Sequence, residues 1–436
     1  MEEELNKIDL NALNDDVQII DIASKLQDYD ESEIIRLCSA LSDEKLAMVL
    51  EQTDEDTQVQ IIDSLTNQRA LSIFDFMQKD DIVDILGNLS IGRCKQLINL
   101  MKAGDKKIIA TLLGYKDDTA GGIMTTEFIT MNKKYTLDQA IKKIQSLSPR
   151  TELLDTLFIT DDNKHLIGTA ELRDIIIEDD AKTLSDITST NFVYVEPEVD
   201  QEEVARMVSK YNLTVIPVVS KNMIMLGIIT VDDIIDVIEE EQTEDILQMG
   251  GANKEETIDS TMLESIRLRL PWLLVNLLTA FLAAMAVKVF EDTIAQVVAL
   301  SAIMGIISGM GGNAGSQTIS IVIRSIALGK IHFKDGIKRV WREIFVGIIN
   351  GLAIGLVAGV VVALIYGNWF LCLIVLLAMM CNLAISGLFG ILVPLILEKL
   401  HADPALSSSI FVTTATDTLG FFVFLGLAKI FLPMLI

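Results

Sequence analysis

Histidine and cysteine are scarce: the 436 residues contain three and four of them. His165, His332 and His401 are far apart, and Cys38, Cys94, Cys372 and Cys381 form no C-x-x-C pair. That spacing argues against a zinc site and against a disulfide framework. The opening MEEELNKIDLNALNDD has no basic stretch followed by a short apolar core, so no secretory signal is expected. Charge is also nearly absent from the last part of the chain. Residues 265–436 contain 7 acids and 11 bases, whereas residues 1–264 contain 54 acids and 24 bases. The first part is therefore near −30 and the second near +4. Such an acidic portion repels nucleic acid and anionic lipid and attracts cations.

The weakly charged part holds the apolar residues. Five stretches are long enough to span a bilayer: about 271–289, 294–328, 344–366, 370–397 and 408–434. The second contains ISGMGGNAGSQ, Ile307 to Gln317, where glycine and polar residues predict a break or kink. Arg267 and Arg269 precede the first span, and Lys330, Lys334, Lys338, Arg339 and Arg342 fill the loop after the second. The loops after spans one and three have almost no base, which places the acidic part inside and the C-terminus outside.

One carboxylate interrupts this pattern. From Ser407 to Ala428, Asp417 is the only charged residue. A charge at the bilayer centre costs about 2.5–3.5 kcal/mol on insertion scales, so its default reading is functional. No Lys or Arg in the spans is an obvious partner, and an unpaired anion beside a water-filled path would attract a cation. Asn313, Thr413, Asn382, Ser386 and other hydroxyl or amide groups lie in or beside the spans, where helix-to-helix bonding is their ordinary use. The donors are all oxygen, which suits hard divalent cations such as Mg²⁺, Ca²⁺ or Mn²⁺. One carboxylate per chain is too few for a dry cage. Two Asp417 residues on a dimer axis would suit a hydrated Mg²⁺.

Residues 17–114 read as short amphipathic helices, such as SEIIRLCSAL, TQVQIIDSL and DIVDILGNL, in units of roughly 15 residues. Each is too short to bury its stripe alone, so an α-superhelix is expected. After Ala120 the pattern changes to a tandem β–α–β–β–α repeat, with TELLDTLFITDDNKHLIGTAELRDIII matched some 60 residues later by NLTVIPVVSKNMIMLGIITVDDIIDVI. This repeat resembles paired CBS domains. Their nucleotide signature, glycine then Ser/Thr then Asp at steps of three, is met by Gly227, Thr230 and Asp233. In the first repeat Gly168 and Asp174 match, but Glu171 replaces the hydroxyl residue. The resemblance implies Arg173, Asp174, Thr230 and Asp233 as adenine-nucleotide contacts, with ATP as a candidate ligand. Acids then crowd DDIIDVIEEEQTEDILQMGG, where like charges at helical spacing repel unless a divalent cation bridges them.

Together, TAGGIMTTEF, VDDIIDVIEEEQTEDILQMGG, GMGGNAGSQ and DPALSSSIFVTTATDTLGFF resemble MgtE-type magnesium channels over nearly the whole chain. The implied architecture is a multidomain membrane protein. It has an all-α superhelical N-domain (1–120), α/β tandem CBS domains (121–190 and 191–250), a plug or connecting helix (251–270) and an α-helical membrane domain of five spans (271–436). The resemblance implies a homodimer in the lipid of a prokaryotic cell membrane, with no enzyme activity and no nucleic-acid partner. Mg²⁺ would pass a pore at Asp417 and Asn313, with Thr413 and Ser409 alongside; some relatives have asparagine where Ser409 stands. Cytosolic Mg²⁺ would close the pore by bridging Asp200, Glu202, Asp233, Asp236, Glu241, Glu244 and Asp245 with an N-domain acid, Asp84 or Asp81. Asn212 replaces another acid of that set. Other readings are a nucleotide or ion sensor that does not conduct, and a broader Mn²⁺/Co²⁺ transporter.

Overall fold

Helix starts recur every twelve residues along the N-terminal part of the chain. A computed structural model describes residues 19–26, 31–146, 155–179, 182–254, 256–258, 260–331, 333–400, 402–406 and 408–435. The acidic opening segment lies outside them. Two compact units, residues 1–237 and 238–436, are described in turn.

In the first unit, eight short helices follow one another: α1 (Ile19–Leu26), α2 (Glu31–Ala40), α3 (Asp43–Glu51), α4 (Glu55–Ser64), α5 (Asn67–Phe74), α6 (Lys79–Asn88), α7 (Ile91–Leu100) and α8 (Ala103–Leu112). The caps Ser42, Asp54, Thr66 and Ser90 each accept a bond from the backbone three residues on, which satisfies an orphan N–H of the first turn. The spacing is therefore twelve residues, shorter than the expected fifteen: the polar breaks shrink to a cap and one to three residues. Each helix packs on the helix two places along the chain, as a superhelix requires. Two arginines 24 residues apart secure this stacking. Arg69 donates to the carbonyls of Cys38 (2.6 Å) and Leu41 (3.1 Å), and Arg93 to those of Ile62 (3.0 Å) and Leu65 (2.7 Å). Both close the C-terminal end of an earlier helix.

The tandem repeat follows. β1 (Thr130–Asn132), α9 (Leu137–Gln145), β2 (Thr156–Thr160), β3 (Leu166–Glu171), α10 (Leu172–Ile177) and α11 (Leu184–Ile187) form the first copy, with β2 central, parallel to β1 and antiparallel to β3. The second has α12 (Gln201–Tyr211), β4 (Val215–Val219), β5 (Met225–Thr230) and the start of α13 (Val231–Met249). Its first strand is reduced to a bridge between Val195 and Val218. The signature glycines serve close packing. A Cβ on Gly168 would lie 2.4 Å from the Ser189 carbonyl, and one on Gly227 2.7 Å from that of Thr125. Met77, Ile82 and Leu86 of the superhelix share one buried core with Ala120, Met124, Ile216 and Ile229, which joins it to the second repeat.

The second unit contains the end of α13, then α14 (Met262–Lys288), α15 (Glu291–Gln296), α16 (Ala299–Ala327), α17 (Phe333–Tyr366), α18 (Trp369–Lys399), α19 (Ser408–Ile430) and α20 (Leu432–Leu435). Among the described residues, four helices (262–288, 336–366, 369–399 and 409–430) are long and apolar enough to cross a membrane. The remaining expected span, the second, is α16. It is long enough, but its glycines, Asn313 and Gln317 dilute its apolar content. The predicted break at Ile307–Gln317 is absent: α16 runs unbroken through it. The connecting helix expected over 251–270 starts later, at Met262 under a Thr261–Glu264 capping box, and continues into the first span with Pro271 inside it. α18 is the central helix, packed on α16, α17 and α19. Lipid offers apolar side chains little reason to associate, so close contact and hydrogen bonds carry such packing. Gly347, Gly351, Gly355 and Gly359 line one side of α17, where an added Cβ would come within 2.2–3.0 Å of α18.

Candidate functional site

Asp417 lies on α19 in the stripe Ser409–Thr413–Asp417. Residues four apart drift by only about 40° around a helix, so the three share a face over two turns. The Ser308 hydroxyl of α16 donates to Asp417 Oδ1 at 2.5 Å. No salt bridge to this carboxylate occurs among the described residues, and Lys429, near the end of α19, lies over the Phe290 ring. Asn313 and Thr413 are exposed, Ser409 is half-buried, and none makes a hydrogen bond to Asp417. Of the expected pore groups, then, Ser409, Thr413 and Asp417 share one face of α19, while Asn313 is on α16.

The frame behind this carboxylate is polar. Asn382 and Ser386 of α18 are fully buried and donate to carbonyls of α16, Asn382 Nδ2 to Ile307 at 2.8 Å and Ser386 Oγ to Gly311 at 2.6 Å. These two bonds tie α16 to α18 along the stretch where a break was expected. Gly420 of α19 lies against the same amide, and a Cβ there would stand 2.4 Å from Asn382 Oδ1. The Asn382 side chain therefore sets both the turn of α16 before Ser308 and the turn of α19 after Asp417. Ser308 escaped the sequence reading because a serine in an apolar run has an ordinary use in bonding to its own helix.

The soluble acids gather at two places. In the first unit, Asp80 and Asp81 open α6 with Asp84 one turn on, and Glu51 and Asp233 act on them electrostatically. Burial, with these like charges added, pushes the Asp80 carboxyl up to about 7 and that of Asp81 up to about 9. Asp80 Oδ1 is buried without a hydrogen-bond partner. Asp84, Asp81 and Asp233 were expected here; Asp80 and Glu51 were not, since only the fold shows that α3 and α6 meet α13. In the second unit, burial and the neighbouring Asp403 push Asp245 up to about 6, opposed by Arg324. Glu244 pairs with Lys254 at 3.1 Å. Met249 of α13 packs against a cluster of Ile319, Ile323, Ala405 and Val412. Asp403 was also missed, although a lone acid just before an apolar run was its signal.

The other expected positions are more dispersed. Asp200 caps α12, accepting from the Glu202 amide at 2.9 Å. Asp236 is exposed and Glu241 half-buried. Asn212 ends α12 with φ 51°, a left-handed conformation that asparagine accepts more readily than most residues. Thr230 donates to Asp233 at 2.5 Å, whereas Arg173 is exposed and paired with Asp174 at 3.7 Å. Among the described residues, no three His, Cys, Asp or Glu stand close enough to hold a metal ion by themselves.

Residues 304–427 match the family described as the divalent cation transporter MgtE, residues 17–118 the MgtE intracellular N domain, and residues 120–179 and 184–240 the CBS domain. The magnesium transporter MgtE of Bacillus subtilis (strain 168) is 32% identical over 338 residues, 78% of this chain and 75% of that protein. The chain belongs to the MgtE family. MgtE of Enterococcus faecalis (strain ATCC 700802 / V583) is likewise 32% identical, over 74% of this chain and 71% of its own. A crystal structure of the cytosolic domain of the Mg²⁺ channel MgtE in complex with ATP is 27% identical with a TM-score of 0.51, covering 54% of this chain and 98% of that one.

Proposed function

We propose that this MgtE-family chain is a Mg²⁺ transporter that conducts as a homodimer in a cell membrane, with its acidic part in the cytosol and its C-terminus outside. It is a transporter and not an enzyme. The observation that carries this reading is Asp417: a carboxylate in an apolar helix whose hydrogen-bond partner among the described residues is a neutral hydroxyl and not a base. Two such groups on a dimer axis, with Ser409, Thr413 and Asn313 near the path, would hold a Mg²⁺ that keeps its water shell. Mg²⁺ sheds water reluctantly and is commonly bound through one or two carboxylates.

Regulation follows from the crowded acids. Glu51, Asp84 and Asp233 oppose ionisation of Asp80 and Asp81 at the junction of superhelix and second repeat. A divalent cation there would replace repulsion with bridging, and the orphaned Asp80 Oδ1 is a ready ligand atom. Asp200, Glu202, Asp236, Glu241, Glu244 and Asp245 are the further candidate ligands for regulatory Mg²⁺. For Mg²⁺ to close the pore, it must bind the closed arrangement more tightly than the open one. ATP is the candidate nucleotide of the tandem repeat, with Arg173, Asp174, Thr230 and Asp233 as contacts, on the strength of the ATP-bound relative. The family's description as a divalent cation transporter favours a second reading, in which Mn²⁺ or Co²⁺ also passes.

The test is Mg²⁺ flux into proteoliposomes, with Mn²⁺, Co²⁺ and Ca²⁺ as competitors. Asp417→Ala should abolish flux at equal incorporation. Undiminished Mg²⁺ flux in that variant would refute the pore assignment.

A further inference from the structure

We infer that Ser308 is a positioning residue for the ion path: its hydroxyl fixes the Asp417 carboxylate so that one oxygen stays free for the hydrated cation. The inference rests on Asp417 being the ion-binding group. Three observations carry it, beginning with how the membrane helices use their hydroxyls. Thr318, Ser320, Ser325 and Thr414 each donate to the carbonyl four residues back on their own helix. Ser308 could do the same toward Met304 but crosses to α19 instead, donating to Oδ1 at 2.5 Å. A hydroxyl donating to a carboxylate is a short, strong bond of the charge-assisted kind.

The second observation is that Ser308 is itself held. The carbonyl of the preceding residue, Ile307, accepts from Asn382, and one turn on the Gly311 carbonyl accepts from Ser386. Donor and acceptor both stand on turns that pack against one buried amide, since Gly420 lies against Asn382 as well. The Ser308–Asp417 geometry is thus fixed from behind by α18, as a preorganised site requires.

The third is the choice of donor. A lysine or arginine would hold the carboxylate equally well but cancel its charge, and a backbone amide is not free inside a helix. A serine hydroxyl orients one oxygen and leaves the net charge intact. Oδ2 accepts no bond among the described residues and can take one from a water of the cation's shell. The serine lone pairs can accept from a second water.

The consequence is a split between affinity and capacity. Without the hydroxyl, the Asp417 carboxylate samples several rotamers, so binding of the hydrated ion weakens more than maximal flux does. Ser308→Ala should raise the half-saturating Mg²⁺ concentration about tenfold, equivalent to roughly 1.4 kcal/mol, with a smaller change in maximal flux. Ser308→Thr keeps a hydroxyl and should return the value to near that of the unmodified chain. Flux is measured on the full-length protein in proteoliposomes, beside Asp417→Ala. If Ser308→Ala incorporates poorly, Ser308→Cys replaces it; its weak S–H donor should give an intermediate value. An unchanged half-saturating concentration in Ser308→Ala or Ser308→Cys, with flux abolished by Asp417→Ala, overturns the role of Ser308 and leaves the pore assignment standing. Equal weakening by Thr and by Ala also overturns it, by making the site's shape rather than the hydroxyl decisive. Persistent flux in Asp417→Ala overturns the pore assignment itself.

Discussion

The stability of the soluble unit should fall as pH rises from 5 to 8. Asp80 and Asp81 are held up at about 7 and about 9 by burial and, to a lesser degree, by the charges of Asp233 and Asp84. In the unfolded chain both lose their protons near pH 4. Between about pH 4 and pH 7 the folded unit thus keeps two protons that the unfolded chain has shed. The sign is fixed: the unit gains nothing from these groups above their folded values, and its full advantage is present only below about pH 4. Each retained proton costs about 1.4 kcal/mol per pH unit as pH rises. From pH 5 to pH 7 two protons give a ceiling of about 5 kcal/mol, and screening and relaxation reduce this to on the order of 2 kcal/mol. Urea unfolding of the full-length chain in detergent, followed by far-ultraviolet circular dichroism with a chelator present, reads the soluble transition directly. Asp81→Asn should flatten the pH slope by about one proton. Mg²⁺ should stabilise strongly at pH 8 and weakly at pH 5, where protons already neutralise the cluster. A midpoint that stays flat or rises between pH 5 and pH 8 would refute the reasoning, as would an Asp81→Asn chain with an unchanged slope.

Three other outcomes follow from the packing. Gly420→Ala drives a methyl to within 2.4 Å of Asn382 Oδ1 and should cost about 1–3 kcal/mol, seen as a lower melting temperature in detergent. Arg93→Ala removes the guanidinium that bonds the Ile62 and Leu65 carbonyls and should cost about 1–3 kcal/mol, read by the same urea transition. Thr230→Val removes the hydroxyl that donates to Asp233; if ATP binds the tandem repeat there, its affinity measured by calorimetry should drop at least about tenfold, equivalent to roughly 1.4 kcal/mol.

Much of this was legible in the chain because the signals are local. Period-3.6 stripes gave the short helices, and the order of strands and helices after Ala120 gave the repeat. A charge in an apolar run singled out Asp417 without reference to any other residue. What could not be read depends on contacts between distant segments. Ser308 and Asp417 are 109 positions apart, and nothing in either neighbourhood announces their bond. Asp80 lies next to Asp81 in the sequence, yet the depth that raises both comes from the packing of α6 against the second repeat. The glycines of α16 signalled flexibility by composition, but the helix is unbroken, and Asn382 and Ser386, some 75 residues later, bond this stretch to α18. The helix spacing of twelve was misjudged for a local reason: a cap such as Ser42 or Thr66 looks like part of a longer polar break.

Pro271 has a mechanical meaning. α14 is one rod from Met262 to Lys288, so a push on its first turns reaches the apolar portion without delay or slack. Pro271 has no N–H to give the Arg267 carbonyl, and its ring crowds that turn. The rod therefore transmits thrust along its axis but yields sideways at one level, just where the basic residues give way to apolar ones. A lateral movement of the leading segment would be absorbed at Pro271, and an axial one delivered in full.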